Sequence, residues 1–205
     1  QRVHSKRHHI LTRCMAMTTV ESQRTCLYDS QQLSVIMDQM AYQMAGFVRE
    51  KNHKMLILGV RRRGAPLADL LAQRMTTLCG LPAPARFDLL VKRYADDLTL
   101  LHPKTLLAED ASNVNLDLSD TCVWVVDDVL YTGHSLLKVL EYLMAKQPAS
   151  VRFAALVDRG VARFPVHGDV VGVHLDVAPT DIVACHVPPY EPVFQIDLVQ
   201  PRRAT

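Results

Sequence analysis

Residues 122–135 read CVWVVDDVLYTGHS, and the way this stretch folds decides how the rest is arranged. Val123, Trp124, Val125 and Val126 form a continuous apolar run, the pattern of a strand buried on both faces of a parallel sheet. From Leu136 the period changes: Leu136, Val139, Leu140, Leu143 and Met144 make one stripe at helical spacing. Between them lie two adjacent carboxylates, Asp127 and Asp128, where the strand is expected to end. Leu130 and Tyr131 then lead into Thr132, Gly133, His134 and Ser135. A short turn with one glycine at a helix start leaves amide N–H groups facing outward at the positive end of the helix dipole. That is a prepared anion site. Two carboxylates beside it would repel a phosphate unless ribose hydroxyls or a divalent cation intervene. Phosphate, diol and Mg²⁺ together describe a sugar phosphate; the alternative is a plain strand-turn-helix with a solvated aspartate pair.

The surrounding chain fits an α/β reading. At 205 residues there is enough chain for one domain with a substantial core, and no apolar run is long enough to span a bilayer. The five cysteines (Cys14, Cys26, Cys79, Cys122, Cys185) are scattered without C-x-x-C spacing, which suits reduced thiols in a cytoplasmic protein. The formal charge of +2 comes from the N-terminus: without Arg2, Lys6, Arg7 and Arg13 it becomes −2. Residues 1–28 are read as a basic accessory arm, with a targeting segment or translation ahead of a start at Met17 as competing readings. Residues 29–205 are read as the functional domain.

Leu33, Ile36, Met37, Met40, Ala41, Met44, Phe47 and Val48 predict a helix over 29–50, capped by Asp29 or Ser30. Met55–Gly59 predicts a buried strand, followed by Val60, Arg61, Arg62, Arg63 and Gly64 and a helix from Pro66 to Leu78. Three arginines at the carboxyl end of a strand stand where α/β sheets bind ligands. Further strands are expected at 86–92, 151–157, 170–174, 182–187 and 193–199. The irregular stretch near 94–111, with Pro103 inside it, has the length and composition of a lid.

The landmarks LGVRRRG, RYADDL, VDDVLYTG and LVDRG resemble those of type I phosphoribosyltransferases. Among these they are most similar to the bifunctional pyrimidine operon attenuator/uracil phosphoribosyltransferase family. The resemblance covers roughly Leu33 to Val199 and implies a central, mostly parallel sheet flanked by helices, with a small C-terminal hood over 179–200 and a lid over 93–111. It implies transfer of the phosphoribosyl group of 5-phosphoribosyl-1-diphosphate (PRPP) to uracil with Mg²⁺, and a homodimer or higher assembly away from membranes. By resemblance, residues 130–135 hold the 5′-phosphate and residues 60–64 the diphosphate. Asp127 and Asp128 hold the ribose diol and the metal, directly or through water. Asp127, Asp128 and Arg63 are the catalytic candidates; Arg93, Tyr94, Asp96 and Asp97 belong to the lid; Val157, Asp158 and Arg159 face the base.

This chain departs from the family pattern at several positions. Ala95 stands where the lid has arginine, so Lys92 or Arg93 must reach the diphosphate or turnover is weak. Asp38, Gln39 and Tyr42 stand where the regulators carry a Thr-Arg pair and a histidine. An acid facing RNA phosphates works against attenuation. Tyr131 and Arg159 replace the aspartate and lysine of purine enzymes, which favours uracil. RNA-binding regulation and a catalytically weak PRPP-sensing protein remain the alternatives.

Overall fold

The computed structural model describes residues 22–50, 54–92, 106–109 and 117–201. Its elements in chain order are β1 (Ser22–Tyr28), α1 (Ser30–Glu50), β2 (Lys54–Arg61), α2 (Gly64–Cys79), β3 (Ala85–Lys92), β4 (Leu106–Glu109), β5 (Thr121–Leu130), α3 (His134–Met144), β6 (Ser150–Asp158), β7 (Val170–His174), β8 (Ile182–His186) and β9 (Gln195–Pro201). Six strands form the main sheet in the order β4-β3-β2-β5-β6-β7. Five run parallel, and β4 pairs antiparallel at one edge.

The apolar run in β5 is continuous because both of its faces are covered. Trp124 and Val126 enter the core beneath α1 and α2, together with Ile57, Leu67, Leu71 and Met75. Val123 and Val125 enter a second core beneath α3, with Leu58, Leu89, Leu136, Val139 and Leu143. The α1 stripe is buried as expected: Leu33, Met37, Ala41 and Met44 are fully excluded from solvent. Its N-terminus is closed by a reciprocal pair, the Gln32 amide donating to Asp29 Oδ1 at 2.9 Å and the Asp29 amide to Gln32 Oε1 at 3.0 Å.

Chain order places the site. From β2 the chain moves outward to β3 on one side, and β5 returns to the other side of β2. The turns leaving β2 and β5 therefore open side by side in opposite directions, a topological switch point where open α/β sheets bind ligands.

A separate antiparallel sheet, β1-β9-β8, makes the hood. Its core side joins the α1/α2 cluster through Val183, Cys185, Val187 and Ile196. Asp197, 1% exposed, ties its three strands together. It accepts hydrogen bonds from Arg24 (3.2 Å) and Gln195 (3.0 Å) and lies 3.1 Å from His186 Nε2.

Five boundaries differ from the sequence reading. The arm drawn over 1–28 is too long, because Ser22–Tyr28 is the hood's edge strand. Inside the expected lid, Leu106–Glu109 pairs with β3; residues 93–105 and 110–116 lie outside the described residues, Arg93, Tyr94, Asp96 and Asp97 among them. β5 does not end at the acids. Its pairing with β6 continues through Asp127, Val129 and Leu130. Helices α2 and α3 each begin two residues early, at Gly64 and His134, so Gly64 and the His134–Ser135 pair form first turns rather than loops.

Candidate active site

Two turns and one strand end meet at the switch point. Asp127 and Asp128 are half-buried at the carboxyl end of β5, and Asp127 Oδ1 accepts the Asp128 amide at 2.9 Å. Beyond them, residues 131–133 turn sharply into α3 through Gly133 at φ +83°. Among the described residues, the amides of Thr132, Gly133 and His134 donate to no backbone carbonyl. This is the unpaired donor set that a helix start offers an anion. The 129–136 turn, with Asp127 and Phe153, lines a small concave space that opens to solvent. Thr132 Oγ1 lies 2.9 Å from His134 Nδ1, so the loop's hydroxyl and imidazole hold each other. Leu130 is 3% exposed and sits in the core beneath α3, so only its main chain can take part.

A segment that the sequence reading left without a role supports this turn from outside. The Arg163 amide donates to the Thr132 carbonyl at 3.1 Å. Phe164 packs edge-on against His134 with ring centroids 4.8 Å apart. Val166 is so close to Gly133 that a Cβ there would stand 2.6 Å from its methyl.

The turn after β2 approaches the same acids. A Cβ on Gly64 would collide with the Val126 carbonyl and lie 3.1 Å from Asp127 Cα, so only glycine lets the two chains touch. Val60 is buried in the core beneath α3 and contributes backbone, and the side chain of Arg61 lies outside the described residues. Arg63 Nη1 is 3.9 Å from Asp128 Oδ2. Its other edge grips Glu191 of the hood, Nη2 to Oε1 at 2.5 Å and Nε to Oε1 at 3.2 Å. Arg62 lies over the Tyr190 ring, 5.1 Å from its centroid. The hydrogen bond from Arg63 depresses the Glu191 carboxyl below its ordinary range, and the same bond holds the Arg63 guanidinium up against the opposing effect of burial. Neither Glu191 nor Tyr190 carried a sequence signal, since both lie in a Pro-rich hood turn.

Of the residues assigned to the base, Val157 is fully buried in the α1/α2 core and can offer only main chain. Asp158 Oδ1 accepts the Gly160 amide at 2.8 Å, which shapes the turn after β6. Arg159 is 7% exposed. Its guanidinium lies 4.4 Å from the centroid of the Tyr131 ring and donates to the carbonyls of Asp181 (3.1 Å) and Ala178 (3.4 Å). Arg159 therefore ties the 131–133 turn to the start of the hood.

Cys185 is buried on β8 of the hood, 2% exposed. Burial, then the Asp128 charge, pushes its thiol well above the ordinary range. It is expected to react with iodoacetamide on the order of 10² times more slowly than exposed Cys26 at pH 8, because the thiolate is the nucleophile and forms only on opening. Site-resolved mass spectrometry reads this directly, and equal rates would mean that the hood opens freely.

The arrangement of a switch-point acid pair, an amide cradle and a basic turn is that of a phosphoribosyltransferase. Residues 24–192 match the phosphoribosyl transferase domain, and the chain belongs to the type I phosphoribosyltransferase family. Within it the chain is similar to bifunctional PyrR proteins. It is 38% identical to that of Deinococcus radiodurans over 128 residues, covering 62% of this chain and 68% of the relative. It is 34% identical to that of a Synechococcus species over 164 residues, covering 78% and 86%. The fold also matches a hypoxanthine phosphoribosyl transferase of Trypanosoma cruzi, with a TM-score of 0.68 at 18% identity, over 87% of this chain and 91% of that one.

Proposed function

We propose that this phosphoribosyltransferase moves the phosphoribosyl group from PRPP to uracil, releasing diphosphate. The observation that carries the reading is the meeting of three unlike groups at one switch point: the unpaired amides of 132–134, the half-buried acids Asp127 and Asp128, and Arg63 beside them. The amides suit the 5′-phosphate and the acids suit the ribose diol, because hydroxyls donate to carboxylates. Arg63 suits the departing diphosphate.

The residues also fit Mg²⁺. Among the described residues no three His, Cys, Asp or Glu side chains gather into a full ligand set, and Mg²⁺ is commonly held by one or two carboxylates plus substrate phosphates. Asp127 and Asp128 would supply those carboxylates, and the ion would neutralise charge on the diphosphate. In the reaction the C1–O bond to diphosphate breaks, C1 becomes oxocarbenium-like, and the uracil nitrogen N1 forms the new bond as it gives up its proton. The chain contributes positioning and electrostatic stabilisation rather than a covalent intermediate.

Uracil is favoured over purines because Tyr131 offers a neutral phenol where an aspartate would accept from, and exchange a proton with, a purine ring. The Arg159 guanidinium is anchored by Nη2, which donates to two carbonyls, and by its contact with the Tyr131 ring, while its buried Nε has no hydrogen-bond partner among the described residues. RNA regulation is the less supported reading: the regulators' Thr-Arg pair is replaced by Asp38-Gln39, which removes the cation, and the added acid Asp38 is paired with Arg74 at 2.6 Å. We also propose a cytoplasmic homo-oligomer; no described helix is long and apolar enough to cross a membrane. Purified protein mixed with PRPP, Mg²⁺ and a panel of bases is expected to give UMP from uracil and no purine nucleotide. Binding of PRPP without turnover of any base would replace the enzyme reading with a sensing one.

A further inference from the structure

The hood turn Val187–Glu191 closes on the turn after β2 through two adjacent contacts. Tyr190 covers Arg62, and Glu191 takes the fork of Arg63 with hydrogen bonds at 2.5 and 3.2 Å. The Glu191 carboxylate is not a loose surface group. Its Oε2 accepts the Val187 amide at 2.9 Å, and its own amide donates to the Val187 carbonyl at 3.3 Å, so the turn holds it from both ends. Arg63 keeps 40% of its side chain exposed, against 19% for Glu191, so the pair is more open to solvent on the arginine than on the acid. An anion arriving there meets an arginine whose two-pronged edge is occupied and whose remaining edge faces Asp128 at 3.9 Å.

We propose that Glu191 is a specificity-determining residue for the anion Arg63 accepts. It is a resident carboxylate that must be displaced, so the turn admits a diphosphate and refuses a single phosphate. This rests on the reading of the 60–64 turn as the diphosphate site. The physical argument is competition. A carboxylate brings one charge already in bidentate register and held by its own turn, and a lone phosphate, with roughly one to two charges, can replace that one fork contact but adds no second group to reach beyond it. A diphosphate brings several charges and spans further oxygens, so it can give Arg63 a better partner than the one it loses. The device also links the two halves of the site, because the carboxylate that lets go of Arg63 belongs to the hood.

The test is calorimetric titration of the full chain with inorganic diphosphate plus Mg²⁺, and separately with inorganic phosphate, on wild type, Glu191→Gln, Arg63→Gln and the double variant. Glu191→Gln is expected to bind diphosphate about tenfold tighter, the size expected when one charge-assisted contact no longer has to be broken. It is also expected to gain a phosphate response that Arg63→Gln removes. A gain in affinity is something structural damage does not produce. Glu191→Asp, which draws the carboxylate back by one methylene, gives an intermediate gain and serves where Glu191→Gln does not fold. If Arg63→Gln weakens diphosphate binding while Glu191→Gln leaves it unchanged or weaker, the competition is refuted and the diphosphate reading stands. If Arg63→Gln changes nothing, the diphosphate reading falls and the inference with it.

Discussion

Replacing Asp127 and Asp128 together by asparagine is expected to weaken PRPP binding by about 10²–10³-fold or more, the scale seen when preorganised polar partners of a ligand are removed. The direction is the informative part. By charge alone, two carboxylates beside a phosphate cradle repel PRPP, so neutralising them should strengthen binding if they do no more than occupy the corner. Loss of affinity on removing negative charge requires that the acids accept from the ribose hydroxyls and hold Mg²⁺. Asparagine keeps the shape of both side chains, and neither takes part in the core, so the β5–β6 ladder should stand and the melting temperature should move little. Titration with PRPP plus Mg²⁺, run beside a thermal melt, gives both readings. PRPP binding at wild-type strength would remove the ribose assignment.

Much of the main sheet was legible because its strands satisfy burial on both faces with local sequence. Val123 to Val126 had to be apolar throughout, and the α1 and α3 stripes had to keep helical period. The hood's edge strand was not legible for the opposite reason. Residues 22–26 of β1 are all exposed, so no alternation marks them, and their partners lie far off in sequence. Arg24 meets Asp197 across 173 residues. The site divides in the same way. The acids, the glycine and the arginines are contiguous motifs, whereas the Glu191 grip on Arg63 spans 128 residues and obeys no spacing rule. Arg159 was legible as a residue but not as a contact. Its guanidinium turns to the carbonyls of the hood's first turn, which sequence could not place.

Gly133 offers the second large effect, and two causes of it can be separated. The residue sits at φ +83°, where an L side chain costs about 1–2 kcal/mol. A Cβ there would also stand 2.6 Å from a Val166 methyl. Gly133→Ala is therefore expected to shift the 131–135 turn and weaken PRPP binding about 10²-fold, since both penalties fall on the loop that must present its amides. Adding Val166→Ala removes the collision and leaves the backbone cost. The double variant should recover to the roughly 5–30-fold deficit that 1–2 kcal/mol represents. Full recovery would mean the turn tolerates a side chain at that dihedral, and the amide cradle would then lose its claim to a fixed geometry. No recovery would mean that Val166 yields on its own, and that the whole penalty is written into the backbone at the point where β5 hands over to α3.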